Sequence, residues 1–131
     1  MGKRTRKNLK ILIVDDDEKS LKLLKAILEM VGFERIIAVN NGKECLTLAQ
    51  DELPDLIFLD IMMPEMDGAS VRSELLNNEK TKDIPVVFST AIVTDEEVKK
   101  TDGVIGKDLF VAKPYDPEKI NRAIYAALGA I

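Results

Sequence analysis

The chain of 131 residues is long enough for one domain, and its composition is that of a globular protein with an apolar core. Hydrophobic residues make up 46% and charged residues 32%, a balance that excludes an intrinsically disordered chain. The apolar stretches have the length of strands, and the first residues lack the apolar segment of a secretory signal. We therefore expect a cytoplasmic protein with no membrane partner.

Charge is distributed unevenly along the sequence. The net charge is −4, yet the first ten residues hold five basic residues and no acid, which leaves 14 basic against 23 acidic residues for the rest. An acidic body does not favour sequence-independent binding to nucleic acid, which needs a basic face, so we expect no nucleic-acid partner. We interpret residues 1–8 as a basic tail and residues 9–131 as the folded domain.

Strand-like and helix-like segments alternate from the start of the chain. The apolar run from Ile11 to Val14 predicts a strand, and apolar residues at steps of three and four between Glu18 and Val31 predict a helix. Arg35 to Val39 predicts the second strand, and Asn41-Gly42 opens the second helix. Cys45, the single cysteine, lies in that helix, where we expect a small buried side chain without chemistry.

The same alternation continues to the end of the chain. Further strands are predicted at Leu56 to Leu59, Val86 to Thr90 and Leu109 to Ala112. Further helices are predicted to begin near Gly68, Asp95 and Pro117. Five strand–helix units of this kind predict an α/β fold with a doubly wound parallel sheet that is covered on both faces.

Polar residues stand at the carboxyl ends of the predicted strands. The first strand is followed by Asp15 and Asp16, the third by Asp60, the fourth by Thr90 and the fifth by Lys113. Doubly wound sheets bind their ligands at this edge, so we expect these side chains to form a single site.

The residue types in this predicted site indicate metal-assisted phosphoryl transfer. Three neighbouring carboxylates repel one another unless a divalent cation neutralises them, and oxygen ligands alone select a hard ion such as Mg²⁺. An ionised Asp60 can attack phosphorus, while the Lys113 ammonium and the Thr90 hydroxyl stabilise charge on the equatorial oxygens. The expected product is an aspartyl phosphate.

Four blocks of sequence carry these residues, in order: Val14-Asp15-Asp16; Leu59-Asp60 with Met63-Pro64 and Met66-Asp67-Gly68; Ser89-Thr90-Ala91; and Ala112-Lys113-Pro114-Tyr115. Together they resemble the blocks of a response-regulator receiver domain, of the stand-alone, chemotaxis-regulator-like type used in two-component signalling. The resemblance implies a flavodoxin-like sheet of five parallel strands, in the order 2-1-3-4-5, with five helices.

The resemblance also implies how the site binds its metal. Asp60 is the phospho-acceptor and, with Asp16, a direct ligand of Mg²⁺. Asp15 reaches the ion through water, and Met62 contributes its backbone carbonyl.

Three further roles follow from the same resemblance. Thr90 and Lys113 contact the phosphoryl group. Phe110 matches an aromatic position whose inward or outward rotamer is linked to the switch of the family. Lys113-Pro114 matches a peptide that is cis in the family.

The implied function is that of a phospho-acceptor in a phosphorelay. The chain contains no histidine, so a sensor histidine kinase or a histidine phosphotransfer protein must supply the phosphoryl group. Only one predicted helix follows Lys113-Pro114, so we expect the signal to leave through a protein contact on the surface from the fourth to the fifth helix. The protein is then no enzyme beyond its own phosphorylation and slow autodephosphorylation.

Two features depart from the usual pattern of the family. The predicted fourth helix, Asp95 to Thr101, is followed by Asp102-Gly103, and glycine disfavours a longer helix. Met62 and Ile92, two residues beyond the acceptor and the threonine, are apolar where the family controls the approach of water. We therefore predict slow hydrolysis of the aspartyl phosphate.

Other interpretations of the same residues stay open. The run Asp15-Asp16-Asp17 could cap the next helix, and the residues from Met63 to Gly68 could form only a turn. A haloacid-dehalogenase-type phosphatase also uses an aspartyl phosphate, but it places an Asp where this chain has Met62. An interaction module independent of phosphorylation would keep the fold while losing one of the site residues, all of which are present here.

Overall fold

The computed structural model describes residues 4–91, 104, 105 and 108–131, and within them strands and helices alternate as predicted. The elements are β1 (Lys10–Val14), α1 (Glu18–Met30), β2 (Arg35–Val39), α2 (Gly42–Glu52), β3 (Leu56–Asp60), α3 (Gly68–Leu76), β4 (Val86–Thr90), β5 (Val104–Ile105), β6 (Asp108–Ala112) and α4 (Pro117–Leu128). The helix predicted from Asp95 to Thr101 lies outside the described residues, as do Ile92 and Gly103.

Five of the described strands are parallel and confirm the predicted order. The sheet runs β2-β1-β3-β4-β6-β5, so β6 takes the place of the fifth parallel strand. The two-residue β5 pairs antiparallel with β6. The sequence does not predict β5, because two residues are too few to show a period. The result is the doubly wound α/β architecture, with its carboxyl edge formed by the ends of β1, β3, β4 and β6.

Each described helix begins at a side chain that caps its first turn. Asp17, Asn41, Asp67 and Asp116 accept hydrogen bonds from backbone N–H groups two or three residues later, as helix N-caps do. Gly32, just beyond α1, has a φ of +108°, a conformation in which glycine ends helices without strain. Within the described residues, no helix combines the length and apolar character that crossing a membrane requires.

Strand side chains alternate between the two faces of the sheet, and each face buries its own apolar cluster. On the α1/α4 face, Leu28 and Ile124 pack with residues of the strands such as Phe58. On the α2/α3 face, Cys45 and Leu75 belong to the second cluster. Cys45 is fully buried, which confirms its prediction as a packed apolar side chain.

The residues before β1 contact the α1/α4 face. The Arg6 guanidinium donates hydrogen bonds to the Val31 carbonyl at 2.8 Å and to Asn121 Oδ1 at 2.7 Å. It also lies 5.2 Å from the centre of the Phe33 ring, within the range of a cation–π contact. One arginine of the predicted tail therefore joins the end of α1 to α4.

Candidate functional site

Asp60 is the last residue of β3, which lies between β1 and β4 in the sheet. The whole strand is buried, and Asp60 itself is only 4% exposed. The backbone N–H of Met62 donates to Asp60 Oδ1 at 3.3 Å. The strand therefore holds one carboxylate, nearly out of water, at the carboxyl edge of the sheet.

The end of β1 contributes two further carboxylates. The Asp15 N–H donates to the Val39 carbonyl at 3.2 Å, which continues the pairing of β1 with β2 by one residue. Asp15 is buried and Asp16 is exposed. Oxygens from Asp15, Asp16 and Asp60 all lie within 4.8 Å of one another. The structure thus gathers the three predicted acids into one acid cluster.

The acidic run after β1 divides between two tasks. Asp17 caps α1, because its carboxylate accepts hydrogen bonds from the Lys19 N–H at 3.3 Å and the Ser20 hydroxyl at 2.8 Å. Asp15 Oδ1 accepts the Asp17 N–H at 2.9 Å and so orders the same turn. The capping interpretation is correct for Asp17, while Asp15 and Asp16 belong to the acid cluster.

Lys113 brings the positive charge that the sequence predicts for this edge. Its backbone N–H donates to the Thr90 carbonyl at 3.0 Å, which fixes the residue after β6 beside the end of β4. Its Nζ lies 2.7 Å from Asp15 Oδ2 and 3.7 Å from Asp60 Oδ1. The Lys113-Pro114 peptide is cis, as the resemblance implies.

Burial and neighbouring charges shift the pKa values of Asp60 and Lys113. Burial first, and then the neighbouring Asp15 carboxylate, raise the pKa of Asp60 to about 7, although the Lys113 ammonium opposes the rise. Burial alone would lower the pKa of Lys113, but pairing with Asp15 and Asp60 outweighs it, and the pKa is raised. Lys113 therefore stays charged beside the acid cluster.

The donor set fits a hard divalent cation. Three carboxylate oxygens lie close enough to share one ion, and the neighbouring Asp15 carboxylate adds to burial in raising the pKa of Asp60. Oxygen ligands of this kind suit Mg²⁺. Asp15, Asp16 and Asp60 could therefore hold the metal.

Thr90 and Phe110 occupy neighbouring strands next to the cluster. Thr90 is buried at the end of β4, one residue after Ser89, which pairs in register with Asp60. Phe110, in β6, is partly buried, and its ring centre lies 5.5 Å from that of Phe88. The roles inferred for both residues stay predictions.

Gly68 has a role at the site that the sequence analysis did not assign. A Cβ on Gly68 would lie 2.5 Å from the backbone oxygen of Asp60 and 2.9 Å from Ile61 Cα, distances that no side chain tolerates. The Gly68 N–H donates to the Ile61 carbonyl at 3.0 Å. The Asp67-Gly68 pair was a signal for this turn, but the contact with Asp60 depends on the folded path of the chain.

Comparison with known proteins agrees with this geometry. Residues 11–125 match the family described as the response regulator receiver domain. The chain is 38% identical over 122 residues to the alkaline phosphatase synthesis transcriptional regulatory protein PhoP of Bacillus subtilis, and the match covers 92% of this chain and 49% of PhoP. This chain therefore spans about half the length of the curated relatives that it matches.

Two solved structures extend the comparison to the fold. The N-terminal domain of a response regulator receiver protein from Methanoculleus marisnigri is 32% identical, with a TM-score of 0.68 over 95% of this chain and 99% of that one. A chain of the CheX–CheY–BeF3–Mg²⁺ complex from Borrelia burgdorferi is 28% identical, with a TM-score of 0.74 over 90% and 87%. On these grounds the chain belongs to the response-regulator receiver family of two-component signalling.

Proposed function

We propose that Asp60 accepts a phosphoryl group from a phosphohistidine on a sensor histidine kinase or a histidine phosphotransfer protein. The observation that carries the proposal is the buried Asp60 carboxylate, which lies within 4.8 Å of two other acids and 3.7 Å from the Lys113 ammonium. Phosphorylation in an acidic pocket that binds Mg²⁺ is general for receiver domains. The proposal assigns that chemistry to named atoms of this chain.

In the transfer, an Asp60 carboxylate oxygen attacks phosphorus, a P–O bond forms, and the P–N bond to the donor histidine breaks. The leaving imidazole keeps the electron pair of the broken bond. Lys113 places its ammonium beside the transferred group, and the Thr90 hydroxyl donates to one of its oxygens. We assign to these two residues the stabilisation of charge on the equatorial oxygens.

The same proposal includes a Mg²⁺ site. Asp16 and Asp60 would bind the ion directly, Asp15 through water, and Met62 through its backbone carbonyl. When bound, the ion neutralises charge between the carboxylates and the phosphoryl oxygens. Support comes from the donor set and from the similar Borrelia structure, which was determined as a complex with BeF3 and Mg²⁺.

We infer that phosphorylation is read out through a protein contact. The charged phosphoryl group would draw Thr90 inward and change the space available to Phe110, which shifts the population of two surface arrangements. The surface that we propose for the partner runs from the predicted fourth helix to the last helix, and its first part lies outside the described residues. The relatives are transcriptional regulators, so absence of a nucleic-acid partner is proposed only for this receiver portion.

The domain boundary and the compartment belong to the proposal as well. We place the receiver domain at residues 9–131 and the preceding segment at residues 1–8, with Arg6 of that segment held against the domain by its contacts with Val31 and Asn121. We place its action in the cytoplasm, where ATP charges histidine kinases.

Phosphorylation from a small donor tests the proposal directly. The protein is incubated with acetyl phosphate, with and without Mg²⁺, and the intact mass of wild type is compared with that of Asp60→Asn. Asp67→Asn is the matched control, because Asp67 is the next aspartate in the same loop and asparagine caps helices equally well. We expect Mg²⁺-dependent gain of one phosphoryl group in wild type and in Asp67→Asn, and none in Asp60→Asn.

Three other outcomes would contradict the proposal or a part of it. Absence of labelling, both by acetyl phosphate and by histidine kinases, would favour the interaction module that works without phosphorylation. Catalytic turnover of external phosphomonoesters would favour a phosphatase. Unchanged affinity for a partner after phosphorylation would contradict the proposed readout.

A further inference from the structure

An exposed thioether lies on the loop that follows Asp60. The Met62 side chain is 64% exposed, while its backbone N–H reaches Asp60 Oδ1. Together with Ile61, Pro64 and Ala69, among others, Met62 lines an open cavity of about 500 Å³ beside the loop that follows β3. A chemical modification of the Met62 side chain would therefore lie two residues from the proposed acceptor, Asp60.

Exposure separates the described methionines into two classes. Met62 and Met30 are 64% and 71% exposed, and Met30 ends α1. Met63 is only 8% exposed, and Met66 packs partly buried against the α2/α3 cluster. Because oxidants in solution attack the thioethers that they can reach, Met62 and Met30 are the reactive pair among the described methionines. Of these two, only Met62 lies on the loop that follows Asp60.

We propose that Met62 is an oxidation site through which peroxides shorten the lifetime of the phosphorylated state, an inference that rests on the proposed function. The sulfur lone pair attacks one oxygen of hydrogen peroxide, an S–O bond forms, and the O–O bond breaks. Proton transfer releases the other oxygen as water. The sulfur loses two electrons, the peroxide gains two, and the product is methionine sulfoxide.

The consequence follows from the change in polarity. A thioether is a weak acceptor, so the unmodified side chain offers water almost no hydrogen bond beside Asp60. A sulfoxide oxygen is a stronger acceptor, so it holds water on the loop that follows Asp60. Water held near the phosphoryl group raises the frequency of hydrolytic attack at phosphorus. We expect oxidation to convert a slowly hydrolysing aspartyl phosphate into a rapidly hydrolysing one.

The test combines peptide mapping with a lifetime measurement on the full chain. Wild type, Met62→Leu and Met30→Leu are each divided in two, and one half is treated with hydrogen peroxide that is then removed with catalase. Peptide mapping records which methionines carry oxygen. Both halves are phosphorylated with acetyl phosphate and Mg²⁺, the donor is removed, and the loss of the phosphoryl group is followed by intact mass.

The readout is the ratio of half-lives before and after oxidation within each variant, so each variant serves as its own reference. We expect oxidation to shorten the half-life several-fold in wild type and in Met30→Leu, and to leave it unchanged in Met62→Leu. The inference is overturned if Met62 stays unmodified while Met30 is oxidised, if the oxidised wild type keeps its half-life, or if Met62→Leu responds equally.

Failure of the proposed function gives a different pattern. If unoxidised wild type accepts no phosphoryl group at Asp60, the proposed function fails and the inference falls with it. If unoxidised wild type is labelled normally and oxidation has no effect, only the inference fails.

Discussion

On each face of the sheet, an arginine joins separate elements. The two arginines differ in the groups that they contact. On the α1/α4 face, Arg6 lies over Phe33 and donates only to neutral oxygens. On the α2/α3 face, Arg72 lies 5.5 Å from the centre of the Phe88 ring and forms an ion pair with Asp108 at the start of β6.

The difference between the two sets of contacts indicates which face is connected to the proposed switch. Phe88 contacts Phe110, so Arg72 reaches the aromatic residue of β6 through one ring and the start of the same strand through Asp108. The contacts of Arg6 with Phe33 and Asn121 touch neither residue. We interpret the Arg6 contacts as static support and the Arg72 contacts, which reach Phe110, as the ones that respond to the site.

A matched pair of core truncations should give the largest effects and compare the packing of the two faces. We expect Leu28→Ala and Leu75→Ala each to lower the free energy of unfolding by about 2–5 kcal/mol, because both side chains are buried. Leu28 should cost slightly more, since its side chain is fully buried while that of Leu75 is 2% exposed. Urea unfolding measures both losses, and a larger loss at Leu75 would show that the α2/α3 face is the more tightly packed of the two.

Replacement of Asp60 by asparagine should show a dependence of stability on pH that the core truncations on the two faces lack. The pKa of Asp60 is about 7 in the folded protein and near 3.8 when unfolded, so the folded state binds the proton more tightly. The contribution of Asp60 to stability is therefore fully present below pH 4 and is lost as the pH rises towards 7.

We expect Asp60→Asn to raise the free energy of unfolding by on the order of 2 kcal/mol at pH 8 and by almost nothing at pH 4. Added Mg²⁺ should reduce the difference, because the ion stabilises only the wild-type cluster. Thermal unfolding across this pH range measures the effect, with the exposed Asp51→Asn as control. Equal gains at both pH values would show that Asp60 is not perturbed by burial and charge.

Replacement of each arginine by methionine compares the two faces most directly. Arg6→Met and Arg72→Met should each cost about 0.5–1.5 kcal/mol, the range of exposed ion pairs, hydrogen bonds and cation–π contacts. Only Arg72→Met should change the rate of phosphorylation by acetyl phosphate, because only Arg72 connects to Phe110. An altered rate in Arg6→Met, with none in Arg72→Met, would contradict our interpretation of the faces.

The smallest perturbation uses Cys45 as a reporter on the α2/α3 face. Burial raises the pKa of the Cys45 thiol to about 12, so the reactive thiolate is scarce in the folded protein. We expect alkylation by iodoacetamide to be slow under native conditions and to accelerate in step with urea unfolding. Leu75→Ala should speed the native reaction more than Leu28→Ala, because Cys45 and Leu75 share one cluster. Faster alkylation of Cys45 in Leu28→Ala than in Leu75→Ala would show that a truncation on one face also opens the packing of the other.

Much of the fold was predictable because short-range patterns encode it. Each predicted parallel strand agrees with the structure to within one residue at either end, since apolar runs and turn residues mark them. The convergence of Asp15, Asp60 and Lys113 was predictable from the rule that parallel strands present their carboxyl ends at one edge.

The contacts that the sequence did not reveal are long-range. Arg6 and Arg72 reach partners far along the chain, and no local spacing encodes those pairs. The raised pKa of Asp60 depends on burial, which exists only after the strands assemble. The approach of Gly68 to Asp60 likewise depends on the folded path of the loop.

The two-residue strand β5 also affects how much of the sheet's edge is open to pairing with another chain. An open parallel strand presents a row of unpaired N–H and C=O groups, a template on which another chain can add a strand and aggregate. The antiparallel β5 covers part of that row on β6. At the opposite edge, β2 begins with the exposed, charged Arg35. Each edge therefore carries a feature that reduces, at least locally, the tendency of another strand to add there.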